Sequence, residues 1–210
     1  MKIIDANVVI ITPIDNKALL RRIEECGRVC YKSEDRITDT SAAAFVGSLI
    51  QRGHEAVLEH GSFTVKFTVD RGVSHEIVRH RLASYCQEST RYCNYGKGKF
   101  GSEITVIQPC YLPESSPAYA TWHRACQVAE NAYFSLLAWG CTPQEARSVL
   151  PNSLKTEVMM TANIREWRHF LRLRCSSAAH PQMREVALKL LETCEVQMPE
   201  LFWDIREELK

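Results

Sequence analysis

The sequence predicts an α+β fold, a central sheet with flanking helices in a single domain spanning residues 1–210. Three observations carry that prediction. A length of 210 residues, 45% hydrophobic and 24% charged, suits one hydrophobic core of ordinary globular composition. Residues 62–69 (SFTVKFTV) alternate polar and apolar side chains with the period of a half-buried strand. Strand-like and helix-like stretches then mix without the regular alternation that a doubly wound sheet requires.

Residues 1–11 (MKIIDANVVII) are rich in β-branched side chains and predict one strand. A helix is expected over 16–29, where Leu19, Leu20 and Ile23 recur at helical spacing. A second is expected over 41–51, with Phe45, Leu49 and Ile50, stopped by Gly53. After the alternating strand, Arg71-Gly72 predicts a turn, 73–82 a short helix, and 84–92 an extended or irregular segment. Residues 104–107 predict a strand ended by Pro109, and 117–139 a long helix. Thr142-Pro143 opens a shorter helix, with a capping hydroxyl ahead of a proline whose missing N–H costs nothing there. A strand over 155–161 and helices over 163–175 and 181–197 complete the chain. There is no internal repeat and no low-complexity segment.

A net charge of +1 provides no global field for nucleic acid or an acidic membrane, so an anionic ligand must be held by local basic residues. The nine cysteines are scattered, without a CxxC pair, and predict neither a disulfide framework nor a zinc site. No apolar stretch approaches the ~20 residues that span a bilayer. The N-terminal residues lack the apolar core of a signal peptide. The expectation is a cytoplasmic protein with reduced thiols, most of them packing residues.

The chemistry concentrates in residues 79–92, RHRLASYCQESTRY. On a helix, His75, Glu76, Arg79 and His80 lie three or four positions apart and share a face, with Arg81 on another side. Arginine suits planar, bidentate recognition of phosphate. In an extended stretch Gln87, Ser89 and Arg91 alternate onto one face, offering an amide, a hydroxyl and a guanidinium. Such a set can grip a nucleotide's phosphate, ribose and base edges; a solvated basic helix beside a polar loop is the bland alternative. In the helix over 163–175, Trp167, Phe170, Leu171 and Arg174 follow i, i+3, i+4, i+7. That places Arg174 on the inner stripe, where an arginine needs an anionic or carbonyl partner.

The segment resembles the RHRxxSxNExSxRY signature of flavin-dependent thymidylate synthases, the thymidylate synthase complementing protein family. Arg79, His80, Arg81, Ser84, Ser89, Arg91 and Tyr92 match at unchanged spacing, while Cys86 and Gln87 stand where Asn and Glu are usual. Three further blocks agree in order. Residues 54–60 (HEAVLEH) resemble the family's HExxxEH-like segment; the histidines are six apart, which does not suit a zinc protease. Residues 145–151 (EARSVLP) resemble its ARxxLP stretch, and 163–174 its N-x-R…L-x-L-R helix. His180 resembles a histidine after that helix, although a core histidine is the expected role. The resemblance covers about residues 53–181.

The resemblance implies conversion of dUMP to dTMP. Methylenetetrahydrofolate is then the carbon donor, and FAD reduced by NADPH is the hydride carrier. It implies Glu76, Arg79, Gln87, Glu88, Ser89, Thr90, Arg91, Arg147 and Arg174 around the substrate. Arg174 would stabilise charge on the pyrimidine, and Ser89 would polarise or orient the base. It implies His54, Arg79, His80, Arg81, Gln87, Asn163, Arg165 and His169 at the flavin, with His169 in a position where Asn is common. It also implies a homotetramer with shared active sites.

Three other readings stay open on the residues alone. A related flavin- and folate-dependent pyrimidine hydroxymethylase or methyltransferase fits the departures at Cys86 and Gln87. An RNA-binding module would use the arginines of 79–91 with Tyr85, Tyr92 and Tyr95 for stacking. Cysteine chemistry at Cys86, beside Arg79 and Arg81, is the third. Residues 96–101 (GKGKFG) satisfy GxGxxG, but lack the preceding strand and following helix of a dinucleotide site. A mobile loop beside the active site is expected there instead.

Overall fold

The computed structural model describes residues 1–98 and 101–209. They gather into two compact units, residues 1–7, 67–79, 86–98 and 101–158 in the first and 8–66, 80–85 and 159–209 in the second. Neither unit is a continuous stretch of sequence, a subdivision that composition cannot show. Both α and β elements are present, as expected. Four strands, β2 (Asn7–Ile10), β3 (Ser62–Asp70), β4 (Ala83–Gln87) and β6 (Lys155–Asn163), form a sheet in the order β2-β3-β6-β4. The alternation read in 62–69 is realised, since Phe63, Val65, Phe67 and Val69 are all buried.

The predicted strand over 1–11 is two strands. β1 (Lys2–Ile4) pairs in parallel with β5 (Thr105–Ile107) in a separate two-stranded sheet, while β2 joins the larger one. β-branched residues specify an extended backbone but not its partner, so the run reads as continuous although its pairing changes.

In the first unit, β1 and β5 pack with α4 (Pro117–Ala138) around Tyr95, Ile104, Val106, Cys126, Tyr133 and Leu154. Ser116 caps α4 by accepting from the Tyr119 N–H at 3.1 Å. The α-amino group of Met1 lies 3.0 Å from the buried carboxylate of Glu130, which also accepts from the Ile104 N–H at 2.9 Å. The short helix α3 (Arg71–Ile77) follows β3 directly, because Asp70 ends the strand and caps the helix, accepting from the Val73 N–H at 2.7 Å. This start is two residues earlier than expected. The helix stops at Ile77, and the N–H groups of Val78 and Arg79 close the turn onto Ser74 and Glu76. α5 (Pro143–Ala146) opens with the expected cap, and Glu145 completes it by accepting from the Thr142 N–H at 2.8 Å.

In the second unit, α1 (Asn16–Val29) packs on α2 (Ser41–Gln51) with no room for a side chain at Gly27, where a Cβ would lie 2.8 Å from the Phe45 ring. Gly53 ends α2 at φ +71°, a conformation that favours glycine, as expected. A 3₁₀ turn, Glu55–His60, leads on to β3. α6 (Ile164–Arg174) buries Ile164, Trp167, Phe170 and Leu171; Trp167 stacks on Phe63 at 4.9 Å and donates to the Phe63 carbonyl at 3.1 Å. Fully burying a side chain of this size contributes about 1.5–3 kcal/mol. α7 (Pro181–Gln197), α8 (Pro199–Phe202) and α9 (Ile205–Glu208) close the unit.

Candidate active site

The residues expected at the substrate fall mainly in the first unit. His75 and Arg79 are exposed, with Glu76 half-buried between them. His80 does not share their face. The helix has already ended at Ile77, and His80 is a buried member of the second unit. Gln87, the last residue of β4, donates its amide N–H to Ser74 Oγ at 3.0 Å and to Thr156 Oγ1 at 3.3 Å. Ser74 in turn donates to the Arg71 carbonyl at 2.8 Å.

The expected alternation of Gln87, Ser89 and Arg91 stops with the strand. Ser89 Oγ accepts from the Arg91 N–H at 3.3 Å, and its carbonyl accepts from the Cys93 N–H at 3.0 Å, so the chain bends. A serine hydroxyl that bonds its own backbone two residues on competes with an extended ladder in this way. Glu88 is drawn into the framework. One carboxylate oxygen lies 2.9 Å from Lys155 Nζ, the other accepts from the Tyr95 hydroxyl at 3.5 Å, and its N–H donates to the Glu157 carbonyl. Burial, reinforced by the Glu88 charge, pushes the Tyr95 phenol well above its usual range, so it stays protonated and donating. Thr90 is buried, and Arg147 Nη1 reaches its hydroxyl at 3.4 Å. The signature segment and the turn after α5, 57 residues apart in sequence, thus converge. Arg91 and Arg147 are both exposed. Cys86 is exposed on β4. Of the glycine-rich loop, Lys99 and Phe100 lie outside the described residues.

The residues expected at the flavin fall mainly in the second unit. His54 borders a cleft of about 740 Å³, with Arg28, Arg36 and Arg52 on its polar side and Phe45, Leu49 and Val57 on its apolar side. Arg81, Arg165 and His169 are exposed. Arg165 donates to Glu59 at 2.6 Å. Asn163 caps α6, its side-chain oxygen accepting from the Glu166 N–H at 2.8 Å.

Arg174 is half-buried at the end of α6, and its Nε donates to His80 Nε2 at 3.1 Å, an imidazole partner that the spacing does not announce. His80 is 4% exposed, and its other nitrogen lies 3.1 Å from the buried carboxylate of Glu166. Arginine only donates, so Nε2 must accept, and the ring proton belongs on Nδ1, facing Glu166. Burial, with the charge of Arg174 and the neighbouring His169, holds His80 below its usual range against the pull of Glu166. The Tyr85 hydroxyl donates to the His80 carbonyl, and burial and Glu166 push that phenol up to about 12. Atoms of His80, Glu166 and His169 come within 4.8 Å of one another, close enough to suggest a cation. A metal on His80 Nδ1 would move the proton to Nε2, against the Arg174 N–H, and chemistry favours the hydrogen-bonded arrangement.

The arginine fully buried on α6 is Arg168 rather than Arg174. It lies 3.0 Å from Glu55 and 2.6 Å from Asp204, and Arg172 joins the cluster through Glu55 and Glu208. Arg168 has the i, i+4, i+7 spacing of Ile164 and Leu171, a signal the Trp167–Arg174 stripe obscured. His180 is exposed, not in the core; it precedes α7, and its Nδ1 accepts from the Gln182 N–H at 3.3 Å. Ser74, Thr156 and Glu166 carry no distinct signal in the sequence, because short polar residues and a third-position glutamate read equally well as caps.

Comparison with known proteins places these features in a family. The model of the thymidylate synthase complementing protein family matches residues 14–200. The flavin-dependent thymidylate synthase of Geobacter sulfurreducens is 33% identical over 184 residues, covering 84% of this chain and 78% of its own. That of Pyrococcus furiosus is 31% identical over 183 residues, covering 86% and 73%. The crystal structure of the UMP/dUMP methylase PolB from Streptomyces cacaoi, bound with 5-Br dUMP, superposes with a TM-score of 0.78. It is 24% identical and covers 99% of this chain and 97% of that one, a likeness of fold. With the family model spanning most of its length, and with the signature, Arg147 and Arg174 in order, this chain is an enzyme of the thymidylate synthase complementing protein family.

Proposed function

We propose that the protein converts dUMP to dTMP by reductive methylation, with methylenetetrahydrofolate as carbon donor and FAD, reduced by NADPH, as hydride carrier. The observation that carries this reading is the convergence of Arg147 on Thr90 within the signature segment. That contact supports the reading by bringing a guanidinium, a group suited to phosphate, to the segment 87–90. In this reading Arg79, Arg91 and Arg147 hold the phosphate, and Gln87, Ser89 and Thr90 fix the sugar and base. Glu76 borders the set, and Glu88 secures the segment through Lys155. Arg174 stabilises negative charge as it develops on the pyrimidine, an electrostatic contribution. Ser89 orients the base, with no role as nucleophile, and Cys86 has none.

The donor set of the second unit suits a flavin dinucleotide. The arginines of the His54 cleft match a pyrophosphate, and Phe45, Leu49 and Val57 match a ring system. His54, Arg81, Asn163, Arg165 and His169 would hold the group. When bound and reduced, it supplies the hydride. Assembly as a cytoplasmic homotetramer with shared sites belongs to the same reading.

The experiment is a visible absorption spectrum of the purified protein, then incubation with dUMP, methylenetetrahydrofolate and NADPH and mass analysis of the nucleotide. A yellow protein and a dTMP product are expected. A hydroxymethylated product would replace methylation with the sister reaction. A colourless protein binding RNA in a steeply salt-dependent manner would overturn the flavin reading.

A further inference from the structure

We propose that Glu166 and His80 are positioning residues that aim the Arg174 guanidinium, His80 acting from behind it as a neutral acceptor. The inference deepens the reading that places Arg174 at the pyrimidine, and rests on it. The geometry is a chain of three side chains within one unit. Glu166 Oε1 accepts from His80 Nδ1 at 3.1 Å, and His80 Nε2 accepts from Arg174 Nε at 3.1 Å.

Both ends of the imidazole are therefore engaged. Its surroundings leave it little freedom to turn. The ring is 4% exposed and lies 4.8 Å from the Phe170 ring, and its backbone carbonyl is held by the Tyr85 hydroxyl. An arginine held only by its long stem samples many rotamers. One whose Nε–H is fixed has its guanidinium plane set, and less entropy is lost each time it meets a developing charge. Glu166 selects the tautomer, as a carboxylate behind a working histidine commonly does. Asn163 caps α6 through the Glu166 N–H and so anchors the residue carrying that carboxylate.

The arrangement has a built-in pH dependence. The titratable and charged groups facing the ring are Glu166, His169 and Arg174 of α6 and the Tyr85 phenol of β4. Protonation at Nε2 removes the lone pair that accepts from Arg174 Nε and sets two cations against each other. His80 titrates below its usual range, so turnover should fall on the acid side as pH drops through that depressed value.

The test uses the flavin-loaded enzyme and four variants: His80→Gln, His80→Leu, Arg174→Ala and the His80→Leu/Arg174→Ala double. Each is measured for flavin content, for kcat and KM toward dUMP across pH, and, in the wild type, by ¹⁵N NMR of the His80 ring. Glutamine presents an oxygen near the Nε2 position and does not titrate. His80→Gln should keep its flavin and its KM, lose less than about tenfold in kcat, and lose the acid limb. His80→Leu should lose about 10²- to 10³-fold in kcat with KM little changed, the loss typical of one oriented donor. The double variant should be no worse than Arg174→Ala alone, because both changes remove one function. The wild-type ring should carry its proton on Nδ1.

A proton on Nε2, an acid limb that persists in His80→Gln, or additive losses in the double variant would overturn the proposal. So would His80→Leu that loses flavin while its remaining loaded fraction turns over normally. If leucine at 80 prevents folding, the glutamine variant and the ring spectrum decide the matter. A fully active Arg174→Ala would instead sink the placement of Arg174 at the pyrimidine. The two failures are distinct, since the first leaves Arg174→Ala inactive.

Discussion

Ser74 has one hydroxyl proton, and it goes to the Arg71 carbonyl, so toward residue 87 it presents lone pairs. The amide of Gln87 donates to those lone pairs, and a glutamate at the same place would meet them with its own. The departure from the family's usual glutamate is therefore matched by its neighbours. Gln87→Glu should raise the pKa of the new carboxyl and cost about 1 kcal/mol at pH 8, vanishing near pH 4 as the carboxyl protonates. Urea denaturation of both proteins across that range checks it, and an unchanged difference would refute the match. Arg147 makes a different kind of contribution. It is exposed, and its contact to Thr90 among the described residues is long, so its removal should leave folding intact. In the proposed reading it holds the substrate's phosphate through a charge-assisted bond of about 1.5–3 kcal/mol, and Arg147→Ala should then raise KM for dUMP by about 10- to 100-fold. An unchanged KM would remove Arg147 from the substrate.

α6 shows at the scale of an element what the sequence discloses and what it withholds. Its extent, its Asn163 start and its buried face of Ile164, Trp167, Phe170 and Leu171 are local properties, and they are legible from spacing alone. The partners of its charges are not. Arg168 and Arg174 both follow apolar spacing, yet Arg168 reaches carboxylates on the Glu55 turn and at Asp204, while Arg174 reaches an imidazole. Those partners lie 113, 36 and 94 residues away, and no periodicity encodes them. The same limit explains Gln87, whose alternation with Ser89 and Arg91 is right for a strand but is ended by a turn that Ser89 itself makes. It explains the split of the N-terminal run as well, where pairing and not propensity decides. Because Arg168 is completely buried, Arg168→Ala leaves Glu55 and Asp204 facing an emptied site. Breaking a buried ion pair from one side costs about 3–5 kcal/mol, whereas Arg168→Met, which fills the volume, should cost less. Equal denaturation midpoints for Arg168→Ala and the wild type would show that the cluster is ornamental.

For the molecule as a whole, the buried groups that titrate below neutral pH, Glu55, Asp204 and His80, bias stability in one direction. Glu55 is held below its usual 4.5, burial opposing but outweighed by Arg168 and Arg172. Asp204 is held below 3.8 for the same reasons, with burial again opposing. His80 is held below 6.5, chiefly by burial. In all three cases the unfolded chain binds more protons than the folded one, so stability rises with pH through each window. The stabilisation is fully present above the unfolded value and is lost as pH falls through the folded one. His80 therefore acts first, below its unfolded value of 6.5, and the carboxylates act below 4.5 and 3.8. The urea midpoint should be level from about pH 8 down to neutral and then fall in two stages. His80→Gln cannot take up the proton that drives the first stage, so its midpoint should stay level until the carboxylates titrate. Above neutral pH it should differ from the wild type by a constant offset. The subtraction of the two profiles isolates the histidine from every other group in the chain. A difference that is flat from neutral pH down to about 5 would show that His80 is not buried in its neutral form.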